Sequence, residues 1–198
     1  MRKEKLEELK SLIEEMKTLK IKERKLSFRS FIKIKKYVCK LNNGKTIKRE
    51  KLIKGKKDGS AAVILPITSE NNVILIVEPR VFTKTTVGIG LPAGYIEKNE
   101  KPYTSALREL REESGYVPKE IISLGGFYQD SGCSSAFNQI FLALDCEKKF
   151  EPTLDKDEYV KIFQCTYEEA FELIDMGYIC CCNSLIALER SKKYVKGR

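Results

Sequence analysis

Three glutamates, Glu109, Glu112 and Glu113, share little more than one turn of a helix that the pattern predicts within GYIEKNEKPYTSALRELREESGY, residues 94–116. Pro102 suits the first turn of that helix and Gly115 its C-terminal stop. Ala106, Leu107 and Leu110 supply an inward stripe between them. Like charges at helical spacing repel by a few tenths of a kcal/mol, so the cluster asks for a positive partner. Glu109 and Glu113 stand one turn apart with Glu112 beside them, and all three can converge on a hard divalent cation. Oxygen donors without His or Cys point to Mg²⁺ or Mn²⁺. Arg108 can tie the helix back to Glu100 in the preceding loop. Gly94, with no Cβ, lets the loop backbone approach a phosphate or the metal closely. Three glutamates alone also fit an ordinary solvated helix face, so the weight rests on the longer spacing.

The elements that position this cluster come from a chain of 198 residues, long enough for one substantial core with a small appendage. The chain has no histidine, which excludes a Ser-His-Asp triad, a Cys-His pair and histidine-bound zinc. Of its seven cysteines, Cys39, Cys133, Cys146 and Cys165 are scattered, and Cys180, Cys181 and Cys182 are consecutive. No CxxC pair occurs, so buried or idle thiols in a reducing cytosol are expected, with a redox or metal role as the alternative. No stretch approaches the roughly 18–20 apolar residues that cross a bilayer. The sequence MRKEKLEELK lacks the apolar core of a signal peptide, and a cytoplasmic location is the expectation.

Charge divides the chain. Residues 1–57 hold 21 Lys+Arg against 7 Asp+Glu, and residues 58–198 hold 16 against 21. A basic segment 1–57 therefore precedes a mildly acidic body 58–198. Leu6, Leu9, Ile13 and Met16 predict an amphipathic helix over 2–20, packed on its own domain or on a dimer mate, with a nucleic-acid or membrane face as the alternative. Alternating apolar and basic residues around Asn42-Asn43-Gly44 predict a hairpin with strands near 30–40 and 45–53. Its lysines form a solvated face or attract phosphates. SAAVILPI and NNVILIVE read as buried strands, followed beyond the glutamate helix by IISLGGFYQ, FNQIFLALDC and EYVKIFQC. TYEEAFELIDMG and NSLIALERSKKY read as helices, the second capped by Asn183. The sum is an α/β body with helices around a mixed sheet, preceded by a β appendage and an extra helix.

Gly94, Glu100, Arg108-Glu109-Leu110, Glu112-Glu113 and Gly115 together resemble the Nudix box at every charged and glycine position. Tyr116 stands where that family usually has an aliphatic residue. The resemblance implies an α/β/α sandwich whose loop-helix binds metal to hydrolyse a nucleoside diphosphate linked to another moiety. It implies Glu109 and Glu113 as principal ligands of Mg²⁺ or Mn²⁺, with Glu112 near the ions.

Leu91-Pro92-Ala93-Gly94 followed by Ile96-Glu97 is similar to the LPAG-x-IE segment common in ADP-ribose and ADP-sugar pyrophosphatases, where the alanine carbonyl, here that of Ala93, can ligate metal. YQDSGCSS, 128–135, resembles that group's proline-glycine loop, with Ser131 in place of proline and Gly132 near the substrate. Ala136 occupies a position where the family often has glutamate. By the same resemblance Glu158, with Asp157 and Asp155 behind it, is the loop carboxylate that activates water, and an ordinary solvated acidic turn is the alternative. Arg80 in VEPR approximates a phosphate-binding arginine at a spacing one residue short. The catalytic set is thus Glu112, Glu158 and Arg108. The metal set is Glu109, Glu113, Glu112 and Ala93, and the substrate set is Arg80, Gly94 and Gly132, with Glu100 and Gly115 structural. In this group a small N-terminal β domain crosses to a partner subunit, which implies a homodimer and a nucleoside diphosphate sugar as substrate. The rivals are a triphosphate or RNA 5′ end, with Phe28, Phe31 and Tyr37 as the few aromatics to stack bases, and a nucleotide sensor without hydrolysis.

Overall fold

The structure is a computed structural model that describes residues 2–17, 31–55 and 58–195. Helix α1, Lys3–Met16, is followed by β1, Ile32–Lys40, and β2, Thr46–Lys54. The body runs through β3 Ala61–Thr68, β4 Asn72–Pro79, β5 Val87–Gly90, β6 Ala93–Tyr95 and α2 Pro102–Ser114. It continues with β7 Tyr116–Val117, β8 Glu120–Tyr128, β9 Phe137–Lys148, β10 Lys161–Thr166, α3 Tyr167–Asp175 and α4 Cys182–Val195. The end of the first helix expected up to residue 20, the start of the first strand near 30, Phe28 and the boundary at 57 lie outside the described residues.

The main sheet has the order β10-β4-β3-β9-β7, with β5 on β4, β6 on β3 and β8 on β9. It is mixed, because β3 and β9 run parallel while the other pairs are antiparallel. Alternation along β3 sends Val63, Leu65 and Ile67 to one core and Ala62 and Ile64 to the other. The first core packs under α3 and α4, and the second under α2 through Ala106 and Leu110. Both faces of β3 and β4 are covered, which is why these strands read as unbroken apolar runs. The expected α/β/α sandwich with a mixed sheet is the observed architecture.

The two parts of the basic N-terminal segment part ways. Helix α1 buries Leu9 and Met16 against the body, beside β4 and β10. Its first turn is tied to Glu169, whose carboxylate also closes the capping box of α3 with Thr166. The hairpin β1–β2 forms a separate two-stranded sheet that stands out from the body. Ile32, Ile34 and Val38 lie exposed on one face of it. It is pinned at its base, where Leu52 N–H donates to the Cys133 carbonyl (2.7 Å) and the Phe31 ring rests on Tyr95 (5.6 Å between centroids).

Asn183 does not cap α4. The helix begins at Cys182, so Asn183 sits inside the first turn, and its Oδ1 accepts from Asn138 Nδ2 at 2.9 Å. The expected strands 121–129, 137–146 and 158–165 are present with shifted ends, the last beginning three residues later, at Lys161. Strands β5, β6 and β7 escaped the sequence reading because none exceeds four residues.

Candidate active site

Helix α2 begins at Pro102 and ends where Gly115 adopts φ 76°, as its sequence predicts. A Cβ at Gly115 would overlap the Phe150 carbonyl, so this position needs glycine for space as well as for backbone. The buried stripe of α2 includes Glu109 and Glu113 alongside Ala106 and Leu110, so two carboxylates are carried inward with the apolar residues.

Those carboxylates meet the loop 91–94. Strand β6 pairs with β3 so that Ile64 N–H bonds Pro92 and Ile96 N–H bonds Ser60, with Ala93 opposite Val63 at a position that makes no ladder bond. Both backbone groups of Ala93 therefore face away from β3. Its N–H donates to Glu113 Oε2 at 3.1 Å, and its carbonyl faces the same side. A Cβ at Gly94 would fall inside the Glu109 carboxylate. The group that approaches Gly94 so closely is thus the Glu109 side chain. The loop is held from behind by α4, where Ser184 Oγ accepts from Leu91 N–H at 3.1 Å.

Arg108 organises the rim. It forks onto Glu100 through Nε (2.9 Å) and Nη2 (3.1 Å), and Nη1 reaches Glu109 (2.7 Å) and Glu112 (3.0 Å). The fork holds the Glu100 carboxyl below its usual range. Expected among the catalytic groups, Arg108 here spends its donors on the protein's own carboxylates and on the Tyr95 carbonyl.

Burial pushes Glu113 up to about 9, with Glu109 and Glu78 adding repulsion. Burial likewise raises Glu109 to about 7, against the opposing pull of Arg108. The charge of Glu158 is felt at Glu78, Glu109 and Glu113 and raises each. Its turn is closed by Glu158 N–H on the Asp155 carbonyl (2.9 Å) and Asp155 N–H on Glu158 Oε2 (3.0 Å).

Glu78 was missed by the sequence reading. It ends the apolar run of β4, is raised chiefly by burial, and pairs with Arg80 Nη2 at 2.6 Å. The signal was a lone carboxylate closing an otherwise apolar strand. Arg80 lies across Gly88, whose Cβ would come within 2.5 Å of Arg80 Cγ, and its charge reaches the Tyr95 phenol. Gly132 belongs to another element, the turn 130–134, which carries the bond to β2. Ala136, where the family often has glutamate, is buried.

The charge of Glu78 is thus felt at Glu113, while Arg80 pairs with Glu78 and Arg108 with Glu109. Donor chemistry and charge fit a hard divalent cation held by Glu109, Glu113, Glu112 and the Ala93 carbonyl. Among the described residues no three acidic, His or Cys side chains already converge at ligand geometry. Arg108 draws Glu109 and Glu112 toward itself, and Ala93 N–H holds Glu113, so these bonds would exchange for the ion.

The NUDIX domain model matches residues 57–178. The ADP-ribose pyrophosphatase of Bacillus subtilis (strain 168) is 36% identical over 138 residues, 68% of this chain and 71% of that protein. The methanol dehydrogenase activator of Bacillus methanolicus is 33% identical over 150 residues, 75% of this chain and 78% of the relative. A crystal structure of an ADP compounds hydrolase superposes with a TM-score of 0.74 at 21% identity, over 88% of this chain and 91% of the other. With loop 91–94, helix α2 and the surrounding sandwich all in the arrangement that the box requires, the chain belongs to the Nudix family.

Proposed function

We propose that the chain hydrolyses ADP-ribose or a related nucleoside diphosphate sugar to AMP and a sugar phosphate, in the cytoplasm and with Mg²⁺ or Mn²⁺. The observation that carries this reading is the buried carboxylate cluster wired to the LPAG loop, with Glu113 on Ala93 N–H and Glu109 against Gly94. The named activity of the Bacillus subtilis relative supports the substrate class.

When bound, the divalent ion supplies neutralisation and orientation of the diphosphate. Glu109 and Glu113, with Glu112 and the Ala93 carbonyl, would hold it. Arg108 keeps Glu109 and Glu112 in register and is fixed in turn by Glu100. Glu158 takes the proton of the water that attacks one phosphorus, and the bridging oxygen leaves with the other phosphate. Arg80, steadied by Glu78, meets the phosphate oxygens. Gly94 and Gly132 bring backbone close to the substrate.

The hairpin β1–β2 is the proposed dimer element. Ile32, Ile34 and Val38 are exposed on a face they share with Lys36 and Glu50, and a second copy of the chain would cover them. Nothing in this reading requires a membrane or a nucleic acid. Among the described residues no helix is long and apolar enough to cross a bilayer.

The test is a hydrolysis panel with Mg²⁺ and Mn²⁺ over ADP-ribose, ADP-glucose, GDP-mannose, NADH, a nucleoside triphosphate and a 5′-triphosphate RNA, with products identified by mass. AMP released fastest from ADP-ribose is expected. Preference for the triphosphate or RNA would overturn the substrate class and leave the family chemistry standing. Binding without turnover would make the chain a sensor.

A further inference from the structure

Helix α1 lies outside the matched span 57–178, yet its last turn reaches the loop that carries Glu158. Glu15 Oε1 accepts the Tyr159 hydroxyl at 2.8 Å and pairs with Lys161 Nζ at 3.3 Å. Both partners follow Glu158 directly, one and three residues on. The first turn of α1 is anchored at the opposite end, where Arg2 N–H and Lys5 Nζ bond Glu169. Leu9 and Met16 are buried between these anchors. The helix is therefore fixed to the body at both ends and in the middle, and Glu15 offers a rigid point of attachment.

The loop needs such a point. Every residue of the turn 155–158 is exposed, so burial does little to hold it. Within the turn, Glu158 N–H bonds the Asp155 carbonyl and Asp155 N–H bonds Glu158 Oε2. The attachment that follows on the chain is the Glu15 clasp.

We propose that Glu15 is a positioning residue, which holds the turn 155–158 through Tyr159 and Lys161 and thereby fixes where Glu158 sits. This rests on the reading of Glu158 as the proton acceptor, and it gives α1 a part in turnover that its distance along the chain conceals.

The test uses the full chain with Glu15→Ala, Tyr159→Phe, the double variant, and Glu14→Ala on the same turn as a control, since Glu14 pairs with Lys17 on its own helix end. Without metal or substrate, hydrogen exchange of the 155–160 amides should speed by about three- to tenfold in Glu15→Ala and less in Tyr159→Phe. The double variant should match Glu15→Ala, and amides of α2 should be unchanged in all. In turnover, kcat should fall by about the same factor with KM unchanged, and Glu14→Ala should behave as wild type. Added to Glu158→Gln, neither substitution should lower kcat further, because the clasp acts through that carboxylate. Unchanged exchange at 155–160, or an equal fractional loss of kcat in the Glu158→Gln background, would overturn the clasp. If Glu158→Gln turned over normally, the role of Glu158 would fail, and the exchange readout would still judge the clasp by itself.

Discussion

The loop-helix around Glu109 and the hairpin β1–β2 are ribbons of similar length with opposite construction. In the first, side-chain bonds hold the functional groups: Arg108 bonds Glu100, Glu109 and Glu112, and Ala93 N–H bonds Glu113. In the second, every residue of β1 but Cys39 is exposed, and the ties to the body sit at its base. Cross-strand pairing and side-chain alternation shape the hairpin, and among the described residues none covers Ile32, Ile34 or Val38. The contrast separates a region held by its own side-chain bonds from a ribbon whose exposed apolar residues we propose a second copy covers.

The sharpest way to break that contrast is to remove one ligand charge from the wired region. Glu113→Gln or Glu112→Gln should lower turnover on the order of 10³-fold while circular dichroism stays native. Retained activity in either variant would undo the ligand assignment. Glu158→Gln should cost about 10²-fold in kcat with Mn²⁺ affinity mostly kept, and an unchanged rate would move the base elsewhere. Gly94→Ala drives a methyl group into the Glu109 carboxylate. It should weaken Mn²⁺ binding by about 10- to 100-fold and lower the melting temperature, and a silent substitution would mean the loop can yield.

A smaller effect concerns pH. Glu109 and Glu113 are raised to about 7 and about 9 from an ordinary 4.5. Between those values the metal-free folded chain keeps protons that the unfolded chain has released, so stability falls as pH rises through that window. Thermal melts in chelator should therefore give a lower midpoint at pH 8.5 than at pH 5.5, with a shallower slope in Glu113→Gln. Mg²⁺ should recover most of the loss at the higher pH. An opposite slope would argue against the buried cluster.

The smallest effect belongs to the hairpin. Val38→Lys on its exposed face should change monomer stability by only about 0.5 kcal/mol or less, yet shift a dimer toward monomer in sedimentation. No shift in sedimentation would leave the apolar face without its proposed cover.

How much of this was legible follows the same division. The bounds of α2 and the Arg108–Glu100 tie were readable because Pro102, Gly115 and the charge spacing act locally, within one helix and its loop. The apolar runs of β3 and β4 announced buried strands. The strands β5 and β6 were not readable, since they hold only 4 and 3 residues, and β6 is made by pairing with the distant β3. Glu78 was hidden for a related reason: its neighbours Glu113 and Glu158 come from far along the chain. Asn183 looked like a cap by local rule, but Asn138 on β9 claims its side chain. The Glu15 contact joins residues 144 positions apart and leaves no local mark.

The central claim is that the carboxylates wired to the LPAG loop form the metal site of this Nudix chain. Titrating Mn²⁺ into the wild-type protein, Glu113→Gln and Glu158→Gln, with free Mn²⁺ followed by electron paramagnetic resonance, tests it most directly. Binding by the wild type, retained in Glu158→Gln and weakened at least about tenfold in Glu113→Gln, is the expected result. Equal Mn²⁺ affinity in the wild type and Glu113→Gln would contradict the account.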